Sequence, residues 1–281
     1  MCRWLAYSGS PILLEELLYK PKHSLIDQSL HARLGPHTTN GDGFGVGWYS
    51  EGDVPVLYNS VNPMWNDRNL RELSSQIRSP LIFAHIRSST GTPVQQTNCH
   101  PFRHGKWLWV HNGQIANFQE VKRELVMAID AALYPFIQGS SDTEVFFFLA
   151  LTFGLEQDPP AAVERAVDFI EQTCRRRGIE HPMRMSVATS DGRSIWAFRY
   201  SSAGEPPSLY YSTNVETLRD QHPDMPMFQT LSDETRLVVS EPLVELAGAW
   251  NEIPASSFGI IQGGRDEIRP FVPPMRQDCA N

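Results

Sequence analysis

The chain has 281 residues, a net charge of −8 at pH 7 and 41 % hydrophobic residues. Such an acidic chain argues against a broad surface for nucleic acid or anionic membranes, although a local basic site stays compatible with it. The longest apolar stretch, 145–155, is too short to span a bilayer, and no signal-peptide pattern is present. The four cysteines, at positions 2, 99, 174 and 279, form no CxxC pair, which favours a cytoplasmic protein with reduced thiols.

The first part of the chain is predicted to contain strands and short helices. The hydrophobic spacing alternates between the period of a strand and that of a helix. The predicted elements are a helix at 12–19, strands at 44–50 and 54–60, a helix at 69–77, and strands at 81–87 and 106–112.

Three helices follow, and each is marked by its start signal. Asn117 precedes a predicted helix at 118–133, and Ser141 precedes the apolar run. Both are followed three residues later by glutamate, which is the spacing of a capping box. Asp158, followed by proline, opens a third helix, which Gly178 ends.

Strands return in the last third of the chain. The predicted strands are 184–190, 194–200, 208–213, 236–241 and 258–262. Strands, then helices, then strands are typical of an α+β protein with mostly antiparallel sheets rather than of a doubly wound parallel sheet. We expect one domain over 2–281, with Met1 removed and a proline-rich surface tail over 265–281.

Cys2 is the first candidate for chemistry. If Met1 is removed, Cys2 carries both a thiol and a free α-amine, and an amine with an ordinary pKa of about 7.7–8.0 can serve as a base. The segment 2–7 is apolar enough to enter a sheet, which would hold the terminus in place. A chance cysteine is the alternative that position alone leaves open.

Asn112 and Gly113 are the second candidate. Asn-Gly between apolar residues is a strong hairpin signal. The alternative is that the glycine N–H and the asparagine amide form an oxyanion hole on a rigid turn.

Two charged residues lie at predicted element ends. Arg87 ends a strand before a polar loop and can bind a carboxylate with two parallel hydrogen bonds; a surface salt bridge is the alternative. Asp142 lies in the first turn of a helix, where it stabilises the dipole or receives an ammonium group. Together with Cys2, Asn112 and Gly113, these residues predict a site for an α-amino acid with a side-chain acyl bond.

Cys2 is followed by a series of spaced motifs. They are NGDGFGVGWY at 40–49, AHIRSST at 84–90, NCHPF at 98–102, HNG at 111–113 and SSDTE at 140–144. This order resembles the class-II glutamine amidotransferases, which are N-terminal-nucleophile hydrolases, over residues 2 to about 150. The resemblance implies a four-layer αββα sandwich and a site that needs no metal or cofactor. It also implies catalytic roles for Cys2, Asn112 and Gly113 and substrate binding by Arg87, Thr90 and Asp142.

The chain departs from the family pattern at two places. Ser88 and Gly91 stand where many members have tryptophan and histidine, so the shape of the loop over the substrate is expected to differ. We also expect no synthetase or sugar-isomerase domain downstream. The opening segment and the length resemble the stand-alone members of ergothioneine synthesis and glutathione breakdown.

Three functions are therefore weighed. One is a stand-alone hydrolase of γ-glutamyl amides, the second a glutaminase subunit that feeds ammonia to a synthetase partner in trans, and the third a catalytically silent binding protein. Asp42 is predicted to tie a glycine-rich turn beside the site rather than to react. Histidines at 85, 100, 104 and 111 lack the HxH or HExxH spacing of a metal site.

Overall fold

The computed structural model describes residues 2–34, 39–89 and 91–274. Met1, Thr90 and the stretch 275–281 with Cys279 lie outside the described residues, and so do the predictions made for them.

The described chain forms short helices at its start, longer helices in the middle and strands throughout. The helices are α1 (Leu14–Leu18), α2 (Leu25–His31), α3 (Arg68–Ser74), α4 (Phe118–Met127), α5 (Asp142–Thr152), α6 (Pro159–Arg175), α7 (Val215–Gln221) and α8 (Pro226–Thr230). The strands are β1 (Arg3–Leu13), β2 (Phe44–Trp48), β3 (Val56–Ser60), β4 (Arg78–Ile86), β5 (Phe102–His104), β6 (Trp107–Ile115), β7 (Met183–Ser190), β8 (Ile195–Ser201), β9 (Tyr210–Ser212), β10 (Arg236–Val239), β11 (Trp250–Glu252), β12 (Ser257–Gln262) and β13 (Arg265–Pro270).

The strands form two antiparallel sheets. The order in the first sheet is β11-β9-β10-β1-β4-β2-β3, and in the second sheet it is β13-β12-β8-β7-β6-β5. In the first sheet β1 lies between β10 and β4, with Leu5 opposite both Val239 and Ala84. The start of the chain is therefore a central strand, as the apolar segment at 2–7 predicted.

Side-chain alternation along the strands builds the layers. Trp4 on β1 and Phe83 on β4 face Leu108 and Val110 on β6, and these side chains form the core between the two sheets. The residues between them point to the outer faces. There, α1–α3 cover the first sheet and α4–α6 cover the second. The predicted four-layer αββα sandwich is confirmed.

The ends of the helices depend on local hydrogen bonds, which the spacing of hydrophobic residues in the sequence does not show. The Ser141 hydroxyl accepts the N–H of Glu144 at 3.2 Å, as a cap should. Asn117, in contrast, has a left-handed backbone with φ 50° and no capping hydrogen bond. The helix α4 ends at Met127 because the oxygens of Asp130 accept three nearby backbone N–H groups and form a turn.

The predicted surface tail requires a correction at its start. Residues Arg265–Pro270 are the edge strand β13, with Ile268 opposite Gly259 of β12. The proline at the end of this strand suits an edge, where a missing N–H costs no ladder hydrogen bond.

Candidate active site

Cys2 lies directly before β1, at the edge of the space between the two sheets. It shares the inner face of the strand with Trp4 and Ala6. The N–H of Ser88 donates to Sγ at 3.4 Å, and Sγ lies 3.6 Å from the Ser88 carbonyl oxygen. Burial raises the pKa of the Cys2 thiol, and the Ser88 hydrogen bond and the positive charge of Arg87 offset only part of that shift. This direction of the pKa shift favours the protonated thiol.

Arg87 follows the last residue of β4 and is only 4 % exposed. Its Nη2 donates to Ser89 Oγ at 3.1 Å and to Thr92 Oγ1 at 2.6 Å, and its Nη1 lies 3.5 Å from the carbonyl oxygen of Asp42. These partners are neutral. Across residues 2–34, 39–89 and 91–274, no carboxylate forms an ion pair with this guanidinium. The alternative of a surface salt bridge is wrong.

Asp42 fastens the loop that carries Arg87. One carboxylate oxygen accepts the N–H of Ser89 at 2.7 Å, and the N–H of Asp42 donates to the carbonyl of Arg87 at 3.1 Å. The N–H of Arg87 in turn donates to Gly43 O at 2.8 Å. The predicted structural role of Asp42 is confirmed.

Asp142 is the first residue of α5 and lies half-buried at the end of β6. Its Oδ2 accepts the N–H of Ile115 at 2.8 Å, and its Oδ1 accepts the N–H of Thr143 at 2.8 Å. A carboxylate can accept about four hydrogen bonds. In the part of the chain that the structure describes, no cationic side chain pairs with Asp142.

Asn112 and Gly113 lie inside β6, opposite Ser186 and Met185 of β7. The predicted hairpin is wrong, because the strand continues through both residues to Ile115. Asn112 is 2 % exposed and shares the inner face of β6 with the residues that pack between the sheets.

Gly113 is required by space. A Cβ atom there would lie 1.8 Å from the carbonyl oxygen of Arg184 and 2.6 Å from Nε2 of His111. No other residue fits without moving the neighbouring strand.

Trp4 connects the two sheets near Cys2. Its indole N–H donates across the sandwich to the carbonyl of Ser186 at 3.3 Å. Ser186 is the residue opposite Asn112. This hydrogen bond links the strand that begins after Cys2 to β7, the strand that pairs with Asn112 and Gly113.

A cleft of about 430 Å³ brings most of the predicted site residues together. Cys2, Arg87, Gly113 and Asp142 line it, and Asn112 lies directly beside Gly113 in the strand. The outer wall consists of the end of β6 and the first turn of α4, with the side chains of Gln114, Ile115, Asn117, Phe118, Gln119 and Glu120. Thr90 is outside the described residues.

A second cavity of about 400 Å³ lies on the outer face of the first sheet, at the far end of β1. Its walls are mostly apolar and include Tyr7, Leu13, Phe228 and Trp250. None of the predicted site residues lines it.

Three buried histidines surround the site. The ring centroids of His85 and His100 lie 4.0 Å apart. Nδ1 of His111 and Oγ1 of Thr143 share a hydrogen bond of 2.8 Å. Burial, reinforced by the charge of Arg87, lowers the pKa of His85 to about 3. Burial likewise lowers the pKa values of His100 and His111. The three rings are neutral near pH 7.

No group of three histidine, cysteine, aspartate or glutamate side chains within the described ranges is arranged to hold a metal ion. No helix in the same ranges is long and apolar enough to cross a membrane.

The model of the family described as class-II glutamine amidotransferases matches residues 21–274. The chain belongs to this family. Its homologues include enzymes named as amidotransferase and as γ-glutamyl hydrolase.

Two relatives of this amidotransferase are informative. The probable glutamine amidotransferase DUG3 of Saccharomyces cerevisiae is 33 % identical over an alignment of 311 residues, which covers 99 % of this chain and 86 % of that protein. The γ-glutamyl-hercynylcysteine sulfoxide hydrolase of Mycolicibacterium smegmatis is 34 % identical over 117 residues, which cover 41 % of this chain and 52 % of that protein.

Solved structures show the same architecture. A glutamine aminotransferase class-II domain protein from Silicibacter pomeroyi has a TM-score of 0.74 and 34 % identity, covering 97 % of this chain and 100 % of that chain. The glutamine phosphoribosylpyrophosphate amidotransferase from B. subtilis has a TM-score of 0.65 and 15 % identity, covering 98 % of this chain and 50 % of that chain. The second likeness concerns the fold alone.

The sequence motifs did not identify every residue that shapes the site of this amidotransferase. Ser89 and Thr92 bind the Arg87 guanidinium, and their position in the polar loop after Arg87 was the available signal. Glu241 binds Arg3, next to Cys2, from 238 positions away, and no local pattern connects the two.

Proposed function

We propose that this chain hydrolyses the γ-amide bond of a γ-glutamyl compound through the thiol of Cys2, after removal of Met1. The observation that carries the proposal is a pair of opposite charges on the cleft walls that no described side chain of opposite charge pairs with. Arg87 is buried among neutral partners, and Asp142 accepts two backbone N–H groups and the hydroxyl of Thr143. A buried charge without a counter-charge is costly, so a ligand that supplies both counter-charges is favoured.

An α-amino acid supplies both charges. Its α-carboxylate would bind Arg87 and its α-ammonium would bind Asp142, while its side chain extends towards Cys2. Thr90 would belong to the loop that covers this part of the substrate. A glutamyl side chain ends in a carbonyl carbon, which is the atom that a thiolate attacks.

The reaction is an acyl transfer in two stages. The α-amine of Cys2 takes the proton of the thiol, and Sγ attacks the γ-carbonyl carbon. Asn112 and Gly113 stabilise the oxyanion of the tetrahedral intermediate. The C–N bond then breaks, the protonated amine of Cys2 gives its proton to the leaving nitrogen, and a γ-glutamyl thioester remains.

Water completes the reaction. The free α-amine takes a proton from a water molecule, which attacks the thioester carbon and forms a second tetrahedral intermediate. The C–S bond breaks, the thiol recovers its proton, and glutamate leaves. No redox partner or metal is needed for either stage.

The outer wall of the cleft supports a substrate larger than glutamine. A volume of about 430 Å³ lies within the range that holds whole small-molecule ligands. The exposed side chains of Gln114, Asn117 and Gln119 offer amide donors and acceptors beyond the reacting centre. The name of one relative points the same way, since that protein is a hydrolase of a larger γ-glutamyl compound, while the other is named as a probable glutamine amidotransferase. A cytoplasmic location with reduced thiols is part of the proposal.

A panel of substrates tests the proposal. Glutamate release would be measured with glutamine, glutathione and several γ-glutamyl amides, using protein whose intact mass shows that Met1 is absent. The matched controls are Cys2→Ala, which removes the nucleophile, and Cys174→Ala, which removes a buried cysteine on α6.

Fast cleavage of one γ-glutamyl compound and slow cleavage of glutamine is the expected result. Cleavage of glutamine alone would favour the alternative, a glutaminase subunit that supplies ammonia to a synthetase partner in trans. Turnover that survives Cys2→Ala would overturn the mechanism, and binding of a γ-glutamyl compound without turnover would indicate a silent binding protein.

A further inference from the structure

Among the residues that the structure describes, backbone pairing holds Cys2 on one side only. On the β4 side, Arg3 pairs with Ile86, and Cys2 meets the backbone of Ser88. On the β10 side, the last backbone hydrogen bond is the one from Ser240 N–H to the carbonyl of Trp4, at 3.0 Å. The two residues before Trp4 therefore need another support on this side.

The side chain of Arg3 provides that support. Its Nη1 donates to the carbonyl oxygen of Cys2 at 3.0 Å, and its Nε donates to Oε2 of Glu241 at 2.8 Å. Arg3 and Glu241 are 1 % and 2 % exposed. A buried ion pair has fixed geometry because neither partner can exchange it for water.

Glu241 is itself held by several further groups. Its Oε1 lies 2.5 Å from Nε2 of His23 and accepts the N–H of Arg33 at 2.9 Å, and its Oε2 accepts the N–H of Leu34 at 3.2 Å. The second nitrogen of His23 lies 2.6 Å from Oδ2 of Asp27 on α2. One carboxylate thus joins the segment after β10, the segment after α2, and the residue that follows Cys2.

We propose that Glu241 is a positioning residue for the nucleophile: through Arg3 it fixes the main chain of Cys2 at the mouth of the cleft. This inference rests on the role proposed above for Cys2. Glu241 does not line the cleft, and among the groups described on its carboxylate Arg3 is the one that contacts Cys2. Loss of the carboxylate should let Cys2 leave its place between Ser88 and the cleft, while Arg87 and Asp142 keep theirs.

The test compares Glu241→Gln with Glu171→Gln. Glu171 is a matched control because it is 3 % exposed and binds Arg175, Tyr200 and Ser202 on the far side of the second sheet. Three quantities would be measured: kcat and KM for glutamate release, the rate at which iodoacetamide alkylates Cys2, followed by peptide mass, and the thermal unfolding midpoint.

A displaced nucleophile lowers kcat about 10- to 100-fold, as misplacement of a reacting group by about 1 Å does. KM should stay within about threefold, because the groups that bind the amino acid remain. Alkylation of Cys2 should become several-fold faster, since the thiol leaves its buried position and its pKa returns towards the ordinary value. Glu171→Gln should change only the unfolding midpoint.

A folded Glu241→Gln protein with an unchanged kcat and an unchanged alkylation rate would overturn the proposal. If Glu241→Gln does not fold, Arg3→Met/Glu241→Gln serves instead, because it leaves neither charge of the pair buried alone. The alkylation measurement needs no turnover. Wild-type protein that releases no glutamate would therefore refute the proposed function, while faster alkylation in the variant would still support the positioning role.

Discussion

Two buried arginines flank Cys2, and they differ in their partners. Arg3 is 1 % exposed and forms an ion pair with Glu241. Arg87 is 4 % exposed and binds hydroxyl and carbonyl oxygens only, among the residues that the structure describes. The two residues are neighbours in space, because Arg3 lies opposite Ile86, which precedes Arg87.

The difference in partners indicates that Arg3 supports the fold and that Arg87 is available to bind a ligand. A buried cation that meets a carboxylate of its own chain has no charge left for a ligand, and its geometry serves the fold. A buried cation among neutral groups keeps its full charge and attracts an anion from solution. The rings of His85, His100 and His111 are also neutral and therefore leave the charge of Arg87 unpaired. A carboxylate at one of these positions would pair with Arg87 in place of the substrate carboxylate.

The largest expected effect concerns the residue between the two arginines. Replacing Cys2 by alanine should lower kcat by at least about 10⁴-fold, because no other described nucleophile takes its place in the cleft. The unfolding free energy should change by less than about 1 kcal/mol, since the side chain is small and only partly buried. Turnover assays and urea unfolding check both values, and a kcat near that of the wild type would contradict the reading of the whole site.

Arg3→Met tests whether Arg3 supports the fold. It leaves the Glu241 carboxylate buried without its cation, which costs about 3 kcal/mol of unfolding free energy, at the lower end of the range because His23 and two N–H groups remain. Urea unfolding at pH 7 measures the loss. Arg87→Met, the matched variant, should lose much less, because it leaves no carboxylate unpaired; equal losses would refute the distinction.

Arg87→Lys tests whether Arg87 binds the substrate. Lysine keeps the charge but loses the planar pair of N–H donors, so KM for a γ-glutamyl substrate should rise about 10- to 100-fold with a smaller change in kcat. Steady-state kinetics separate the two parameters. An unchanged KM would mean that Arg87 does not receive the α-carboxylate.

The smallest expected effect comes from the neutral histidines. The folded pKa of His85 is about 3, against an ordinary value of about 6.5. Between these pH values the unfolded chain binds a proton that the folded chain does not, so this group makes stability fall as pH falls through that range. The size is about 1.4 kcal/mol per pH unit at most.

His85→Phe should remove this contribution. Urea unfolding at pH 6 and pH 5 should show that the variant loses about 1 kcal/mol less stability between the two pH values than the wild type does. An equal pH dependence in the wild type and His85→Phe would show that His85 takes up protons when folded.

The Arg3–Glu241 pair behaves differently, because hydrogen bonds from His23 and Arg3 outweigh burial and hold the pKa of Glu241 below its ordinary value. The contribution of this pair to the unfolding free energy is present above about pH 4.5 and is lost only at lower pH.

Much of the architecture could be predicted because it rests on local patterns. The alternating side chains of β2, β4, β6, β7 and β12 and the capped starts of α5 and α6 were visible in the sequence. Local rules failed where a tertiary contact prevailed. Asn112 and Gly113 satisfy the rule for a hairpin, yet pairing with Ser186 and Met185 keeps them in a strand.

The sequence by itself determined the order of the site motifs, the α+β arrangement and the residue types that an acyl transfer to cysteine needs. Those are properties of short segments, and periodicity and spacing record them. The tertiary structure alone decided which charges are compensated: Glu241 reaches Arg3 across 238 positions, while the partners of Arg87 within the described ranges are neutral oxygen atoms. Pairing over such distances follows from how the two sheets and their loops pack, and no local pattern of residues carries that information.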